Sequence, residues 1–423
     1  MNVEPAITGQ HRSIFWFDAL STMAWQMCLT SPLVLFMREL GAPALALGLL
    51  TGLNPLLTLL QLPMARRVQT SGHRRLMLFG WTTRTIVITP LVALPWLADG
   101  LGRSVTVVVI LALVAIFMCL RSVAVVAWMP WISALIPSKT RGAFLARDRF
   151  FMTITTLVGL GISGLLLTGT HIGNYAWVFL IGTSAAYGSL YFLVRIPEPQ
   201  PQPPGAAAHS DNKSATLVRR AFAMPSFRSL VLFAAPAQAV NVGAAAFVTV
   251  FARTRAGLTD SALLWLTAGS SLLVMASMAW MRNRLDRYGS KPFLWITLGW
   301  WATAALSWLL IGATGISVAP TIAAVLIVVS NAFAWLFEVF TMRLMMNTIT
   351  AETSDATIFA VYSVVVNLLA GAAPILLGAL LDGLRTFEVR PAGLHIDNYS
   401  VLFALVLAMI AVAASALRSV RNL

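Results

Sequence analysis

Long apolar runs separated by short polar segments occupy this chain from residue 14 to residue 417. Each run holds about 20 mainly apolar residues, the length that an α-helix needs to cross a bilayer. Backbone polar groups in lipid must bond within their own segment, and the runs do not alternate as barrel strands do, so we expect helices. The twelve predicted spans are 14–37, 43–64, 76–98, 105–132, 150–170, 175–194, 228–252, 262–281, 292–313, 319–342, 357–381 and 399–417.

Composition supports an all-α polytopic membrane protein. Of the 423 residues, 58% are hydrophobic and 10% are charged, whereas a soluble domain carries about 25% charged residues. The first run is too long for a signal peptide and is interpreted as the first span. Both cysteines, Cys28 and Cys119, fall inside apolar runs, so neither a disulfide framework nor a metal site is expected.

The basic residues predict the topology. The net charge of +14 would suggest nucleic acid in a soluble protein, but here it reflects loop arginines, and no nucleic-acid partner is expected. With twelve spans and a cytoplasmic N-terminus, 21 of the 29 Lys and Arg residues lie on the cytoplasmic side and 6 lie outside. Cytoplasmic loops of membrane proteins carry this excess. We therefore expect a multi-pass protein of the cell (inner or plasma) membrane, with both termini in the cytoplasm.

A proline-rich polar segment divides the chain into two predicted six-helix halves. The halves are residues 1–195 and 227–423, and the segment 196–226 between them is predicted to be a cytoplasmic linker. The loops of the two halves resemble each other: Arg67 and Gly72 after span 2 correspond to Arg284 and Gly289 after span 8. Such repeats are known among secondary transporters, so we predict two pseudo-symmetric halves.

These repeated loops resemble the signature loop of the major facilitator superfamily, Gly-x-x-x-Asp-Arg-x-Gly-Arg-Arg/Lys. The second copy follows this pattern closely, while the first has Gln69 in place of the acid. In the family, the acid of this loop docks on a helix N-terminus, which favours a carboxylate. The resemblance implies the fold of the family over essentially the whole chain, and a conformational-gating role for Gly72, Arg74, Asp286, Arg287, Gly289 and Lys291.

Four charged side chains interrupt the apolar runs: Asp18, Arg84, Arg121 and Glu338. A charge at the middle of a bilayer costs roughly 2.5–3.5 kcal/mol on insertion scales, so such residues usually face a bundle interior or a wet cavity. Two acids and two bases cancel, and we expect Asp18 to pair with one of the arginines. Glu338 has no basic partner within its own half except Arg343, five residues on at the membrane edge, which makes it a candidate proton-coupling carboxylate.

The resemblance implies that spans 1, 4, 7 and 10 line a central cavity, and polar residues fall on these spans at helical spacing. The predicted substrate and proton pathway comprises Asp18, Gln26, Arg84, Arg121, Gln238, Asn241, Asn331, Trp335 and Glu338. Structural alternatives stay open for most of them. Asp18 could cap a helix or form a salt bridge, Arg84 could be structural, Glu338 could bridge to Arg343, and the amides could join helices.

The preferred function is secondary active transport of a small amphipathic or anionic solute by alternating access, coupled to protons. One alternative is a drug or metabolite efflux antiporter, and another is a non-transporting assembly or sensor protein with the same fold. An enzyme is the weakest hypothesis because no nucleophile, base and orienting group occur together. No Walker sequence is present, so neither ATP nor another cofactor is expected. We expect a monomer whose partners are the bilayer, the solute and protons.

Overall fold

The computed structural model describes residues 9–60, 73–135, 141–168, 171–198, 219, 221–255, 257–314, 320–350, 356–390 and 395–420. Its first helices are α1 (Gly9–Cys28), α2 (Ser31–Glu39), α3 (Ala44–Leu57), α4 (His73–Ile88), α5 (Leu94–Leu101), α6 (Arg103–Val125), α7 (Trp128–Leu135), α8 (Arg141–Leu166) and α9 (Asn174–Val194). Beyond the predicted linker follow α10 (Pro225–Gly243), α11 (Ala245–Arg255), α12 (Asp260–Tyr288), α13 (Lys291–Thr314), α14 (Pro320–Thr350), α15 (Ala356–Gly383) and α16 (Asn398–Ser419).

Every predicted span overlaps an apolar helical segment of the described chain, and residues 61–64, 169–170 and 319 of the predicted spans lie outside that chain. Ten helical segments are long and apolar enough to cross a membrane, and the bent pair Arg74–Val92 and Leu94–Leu101 is an eleventh if it forms one span. The remaining prediction, 43–64, corresponds to the shorter apolar segment Ala44–Leu60. The prediction of a helical multi-pass membrane protein is therefore confirmed.

Several spans are broken where the backbone cannot continue an α-helix. The eleventh segment bends by 59° where α4 passes through the 3-10 helix Thr89–Val92 into α5, and Pro90 lies in that turn. Proline has no amide hydrogen and clashes with the preceding turn, so it bends or ends a helix. Span 1 likewise consists of α1 and α2, with Pro32 in the first turn of α2. The apolar pattern predicts the spans, and a proline lies at each of these two breaks, whereas Pro236 and Pro374 lie inside continuous helices.

Contacts divide the chain into two compact units. Unit 1 contains residues 1–42 and 57–208, and unit 2 contains residues 43–56 and 209–423. The predicted division of the chain at the linker stays a prediction. Helix α3 precedes the linker in sequence, yet it belongs to unit 2 by its contacts. The residues that hold α3 in unit 2 lie on α15.

Small residues bring the backbones of α3 and α15 into direct contact. A Cβ atom added to Gly48 would lie 2.1 Å from the carbonyl oxygen of Pro374, and one added to Gly378 would lie 2.5 Å from that of Ala44. Glycine allows this approach because it has no side chain, as in many packed membrane helices. The sequence separation of more than 300 residues explains why the span pattern alone does not predict this contact.

Asp382 at the end of α15 caps the N-terminus of α3. Its Oδ1 accepts a hydrogen bond of 3.0 Å from the amide of Ala44, and its Oδ2 accepts one of 2.8 Å from the amide of Leu45. The first amides of a helix have no partner within the helix, and a carboxylate both pairs with them and complements the helix dipole. Asp382 therefore anchors α3 to α15 at the end where the helix begins.

We expect Asp382→Ala to lower the stability of the protein by about 1 kcal/mol, the usual cost of removing a capping side chain. The measurement is the unfolding temperature of the full-length protein in detergent. Asp99→Ala is the matched control because Asp99 is an exposed acid on α5. Equal unfolding temperatures for the two variants would contradict the capping role of Asp382.

A two-stranded antiparallel sheet connects α15 to α16. Strand β1 (Glu388–Val389) pairs with β2 (Ile396–Asp397), with Glu388 opposite Asp397. Asp397 caps α16 by accepting the amide of Ser400 at 3.0 Å, and it also accepts a hydrogen bond of 2.6 Å from Arg255. Hydrogen bonds from Arg390 lower the pKa of exposed Glu388 below its ordinary value. The hydrogen bonds of Asp397 thus fix the start of α16 to β2 and to Arg255.

Candidate functional site

Glu338 of α14 is the centre of a polar cluster in unit 2. Its Oε1 accepts a hydrogen bond of 2.6 Å from Gln238 Nε2 and one of 3.0 Å from Asn241 Nδ2. Gln238 and Asn241 lie three residues apart on α10, so both amides lie on one face of that helix. Glu338 itself is exposed. Three residues predicted on separate grounds are therefore brought together around one carboxylate.

The hydrogen bonds that the structure describes at the Glu338 carboxylate come from neutral groups. Arg343 was the basic partner considered from sequence, but no described ion pair joins it to Glu338. The two residues are five positions apart, which places them about 140° apart around the helix. Both amide donors bond to Oε1, so the described hydrogen bonds leave Oε2 available. The described contacts do not neutralise the charge of this carboxylate.

Tyr362 of α15 is a third polar residue near Glu338 and is one that sequence reasoning missed. Its side chain is buried, with 6% of its surface exposed, and its hydroxyl has no hydrogen-bond partner. The hydroxyl lies close enough to Glu338 for the two groups to interact electrostatically. A lone tyrosine in an apolar run is typical of packing, so the sequence carried no signal for this role.

An apolar pocket adjoins the cluster and is named here the tryptophan pocket. Helices α10, α11, α13, α14 and α16 form it, and its walls include Trp301, Trp308, Phe403, Asn241 and Asn331. The predicted site residue Asn331 thus lines this pocket together with Asn241. The predicted site residue Trp335 does not line it, and half of its surface is exposed. Since Asn241 also bonds to Glu338, the pocket and the polar cluster share a side chain.

In unit 1, the side chain of Asp18 contacts another acid, and the arginine that acts on it is neither of the two intramembrane arginines. Asp18 of α1 lies within hydrogen-bonding reach of Asp148 of α8, and Arg149 acts electrostatically on both. Asp148 is 8% exposed, and its Oδ1 has no hydrogen-bond partner. Among the described ion pairs, none joins Asp18 to Arg84 or Arg121. Sequence reasoning missed Asp148 because it stands between two arginines and looks like part of a loop.

The two intramembrane arginines lie against aromatic rings. The Cζ atom of Arg84 lies 3.4 Å from the ring centroid of Trp81, and that of Arg121 lies 4.7 Å from the ring centroid of Trp25. Arg84 also donates a hydrogen bond of 3.1 Å to the hydroxyl of Ser21. Aromatic faces attract cations. The rings of Trp81 and Trp25 therefore stabilise the two arginines, for one of which the sequence predicted an ion pair with Asp18.

Gln26 joins two helices of unit 1. Its Nε2 donates a long hydrogen bond of 3.5 Å to Thr156 of α8, and its Oε1 accepts one of 3.2 Å from Thr30. The side chain is buried. Gln26 is predicted as a pathway residue, and these contacts show that its amide holds helices together inside unit 1.

The predicted gating loops are only partly within the described chain: Gly72 and the side chain of Asp286 lie outside it. Arg74 donates a hydrogen bond of 2.9 Å to the carbonyl of Val194, and Arg287 lies 5.4 Å from the ring centroid of Tyr288. Gly289 ends α12 with a φ of 74°, a backbone conformation that favours glycine. These positions keep their predicted gating role as a prediction.

Lys291 of the second loop binds the end of another helix. Its Nζ donates hydrogen bonds of 3.2 Å to the carbonyl of Arg418 and 2.7 Å to that of Val420, both at the C-terminal end of α16. Carbonyls at a helix C-terminus lack intrahelical partners and carry negative charge, so a lysine is favourable there. The loop is thereby fixed to the last helix of unit 2.

Comparison with known families is decisive for the fold. The sequence profile of the Major Facilitator Superfamily matches residues 15–374, which is most of the chain. The chain belongs to the major facilitator superfamily. The match indicates a transporter. No curated protein matches the sequence of this superfamily member.

Solved structures of superfamily transporters share the fold at low sequence identity. The nucleoside transporter NupG, as its D323A mutant, has a TM-score of 0.68 at 14% identity, covering 97% of this chain and 100% of that one. A bacterial homologue of the iron transporter ferroportin in an inward-facing state has a TM-score of 0.68 at 13% identity, covering 97% and 99%. A bacterial homologue of the human lysosomal transporter Spinster has a TM-score of 0.65 at 15% identity, covering 99% and 95%. These likenesses support the fold alone.

Proposed function

We propose that this superfamily member is a secondary active transporter that moves a small amphipathic solute by alternating access, coupled to protons at Glu338. The observation that carries the proposal is an exposed carboxylate, within a membrane span, that bonds to two amides and adjoins an apolar pocket. Ionisable residues inside spans are costly and commonly serve transport pathways and proton relays. A structural carboxylate would instead be expected to pair with a cation or, as Asp382 does, to cap a helix N-terminus.

The chemistry of the cluster suits a proton-dependent site. The amides of Gln238 and Asn241 donate to Glu338 whether or not its second oxygen holds a proton, because both bond to Oε1. Protonation therefore removes the charge without requiring these contacts to break. A solute that interacts with the carboxylate would bind the two protonation states with different affinities, and such a difference is what couples two binding events.

An anionic solute is the second candidate, and the arginines of unit 1 are the observation that favours it. Arg84 is buried, contacts two aromatic rings and bonds to Ser21. Arg121 contacts Trp25 and further protein groups. Arg84 is enclosed by protein, whereas Glu338 is exposed, so we favour the Glu338 cluster as the solute site.

A reconstituted transport assay tests the proposal. Purified full-length protein in proteoliposomes is exposed to amines, carboxylic acids and neutral amphipathic compounds, with and without a pH gradient. We expect the flux of at least one compound to depend on the protein and on the direction of the gradient, and to be accompanied by proton movement that a trapped pH-sensitive dye reports.

Protein-free liposomes and a gradient collapsed by a proton ionophore are the controls. A protein-dependent flux of the same size with and without the pH gradient would contradict proton coupling but would still support transport. Absence of flux for every compound, together with recovery of one stoichiometric membrane partner from native membranes, would replace transport with the assembly or sensor role. Outward flux of the active compound in cells would identify the efflux alternative.

A further inference from the structure

The tryptophan pocket has the size and walls of a binding site for one apolar group. Its cavity volume is about 100 Å³, while an apolar protein cavity of about 150 Å³ holds benzene. Trp308 is 2% exposed and packs against Phe251 with ring centroids 5.8 Å apart, and Trp301 packs against Phe337 at 5.1 Å. Rings held in this way form rigid walls, and the cavity is about two thirds of the volume that holds benzene, so a short alkyl group or the edge of a single ring can enter without much rearrangement.

Polar groups occupy one edge of this pocket and lead to Glu338. Asn241 lines the pocket and donates a hydrogen bond of 3.0 Å to the Glu338 carboxylate. Asn331 lines it from α14, seven residues and about two helical turns before Glu338 on the same face. A molecule with its apolar end in the pocket therefore reaches the carboxylate through a chain of a few bonds.

The negative charge of Glu338 determines which polar group of such a molecule can bind at this edge of the pocket. Among the described residues, the groups that interact with Glu338 are the amides of Gln238 and Asn241 on α10 and the hydroxyl of Tyr362 on α15, and none of them is a cation. An ammonium group can pair with Oε2 of Glu338, which the described hydrogen bonds leave available. A carboxylate on the solute would meet the negative charge of Glu338 instead.

We infer that the cluster around Glu338 and the tryptophan pocket together bind an amphipathic organic cation, with its ammonium at Glu338 and one ring or short alkyl group in the pocket. This inference rests on the proposed function and gives the class of its solute. Tryptophan faces also attract cations. The positive charge of the ligand can therefore lie close to the Trp301 and Trp308 walls of the pocket. A lipid acyl chain would fill the pocket without involving the carboxylate, and an experiment must distinguish the two occupants.

Three compounds that differ only in their polar end provide the test. Phenylbutylammonium, phenylbutanol and phenylbutyrate are titrated into purified full-length protein in detergent, and binding is followed by the unfolding temperature, which rises when a ligand binds the folded state. We expect phenylbutylammonium to bind at least about tenfold more tightly than the alcohol, and the carboxylate not to bind. Glu338→Gln should remove the preference for the cation over the alcohol.

Filling the pocket tests where the ring lies. Ala304→Leu on α13 places three more carbons in the cavity, and we expect it to weaken phenylbutylammonium about tenfold or more. Ala302→Leu is the matched control, because it makes the same change on the same helix at a position outside the pocket. If Ala304→Leu does not fold, Ala305→Val, which also lines the pocket, replaces it.

Equal binding of the three compounds, a preference for phenylbutyrate, or unchanged binding in the pocket-filling variants would overturn the inference. Loss of both the cation and the alcohol in Ala304→Leu, without a cation preference in the wild type, would identify an apolar occupant such as a lipid chain. Different results would overturn the transport proposal and the inferred cation site. Proton-coupled flux of anions alone would leave transport standing without this site, and cation binding without any flux would leave the site standing without transport.

Discussion

Glu338→Gln is expected to lose proton-driven transport by at least roughly tenfold while the protein keeps its fold. Glutamine has nearly the same size as glutamate, and its carbonyl oxygen can still accept the hydrogen bonds that Gln238 and Asn241 now donate to Oε1. The substitution removes the negative charge and the proton-binding oxygen together. The measurement is the initial rate of solute flux in proteoliposomes with an imposed pH gradient.

Two controls separate coupling from folding. Asp99→Asn makes the same chemical change at an exposed acid of α5, and we expect it to transport at the wild-type rate. Exchange of solute across the membrane without a gradient reports whether Glu338→Gln still binds and moves the solute. Wild-type driven flux in Glu338→Gln would show that the proton enters elsewhere, and the contacting acids Asp18 and Asp148 would be the next candidates.

The fold was largely predictable because the bilayer imposes a strong and local rule. About 20 apolar residues in a row require a helix wherever they occur in the chain, and every predicted span has its helix. The bends were not predicted, because they depend on single prolines such as Pro90. The assignment of α3 to unit 2 was not predicted either. It depends on contacts such as Gly48 with Pro374, which no local pattern reveals.

The candidate site shows the same division between local and long-range information. A charge inside an apolar run is visible in the sequence, so Glu338 and Asp18 were found. Their neighbours depend on the rotation of each helix and on which helices pack together. Counting charges led us to expect an arginine beside Asp18, whereas the structure places Asp148 there. Tyr362 was not predicted as a site residue, because only the structure shows that its hydroxyl interacts electrostatically with Glu338.

Gly48→Leu is expected to lower the stability of the protein by about 3 kcal/mol or more, at or beyond the upper end of the usual cost of overpacking. A Cβ atom at this position would lie 2.1 Å from the carbonyl oxygen of Pro374 and 2.8 Å from its carbonyl carbon. These are backbone atoms, so no side-chain rotation can make room. The two helices must separate, and the cap that Asp382 provides to α3 is strained with them.

Gly299→Leu is the matched control because it makes the same change in α13, where an added Cβ atom meets nothing within 4 Å. The unfolding temperatures of both variants in detergent, together with their yields from the membrane, measure the difference. We expect the control to stay close to the wild type, since its new side chain projects into open space. A wild-type unfolding temperature for Gly48→Leu would contradict the direct backbone contact between α3 and α15, and with it the assignment of α3 to unit 2.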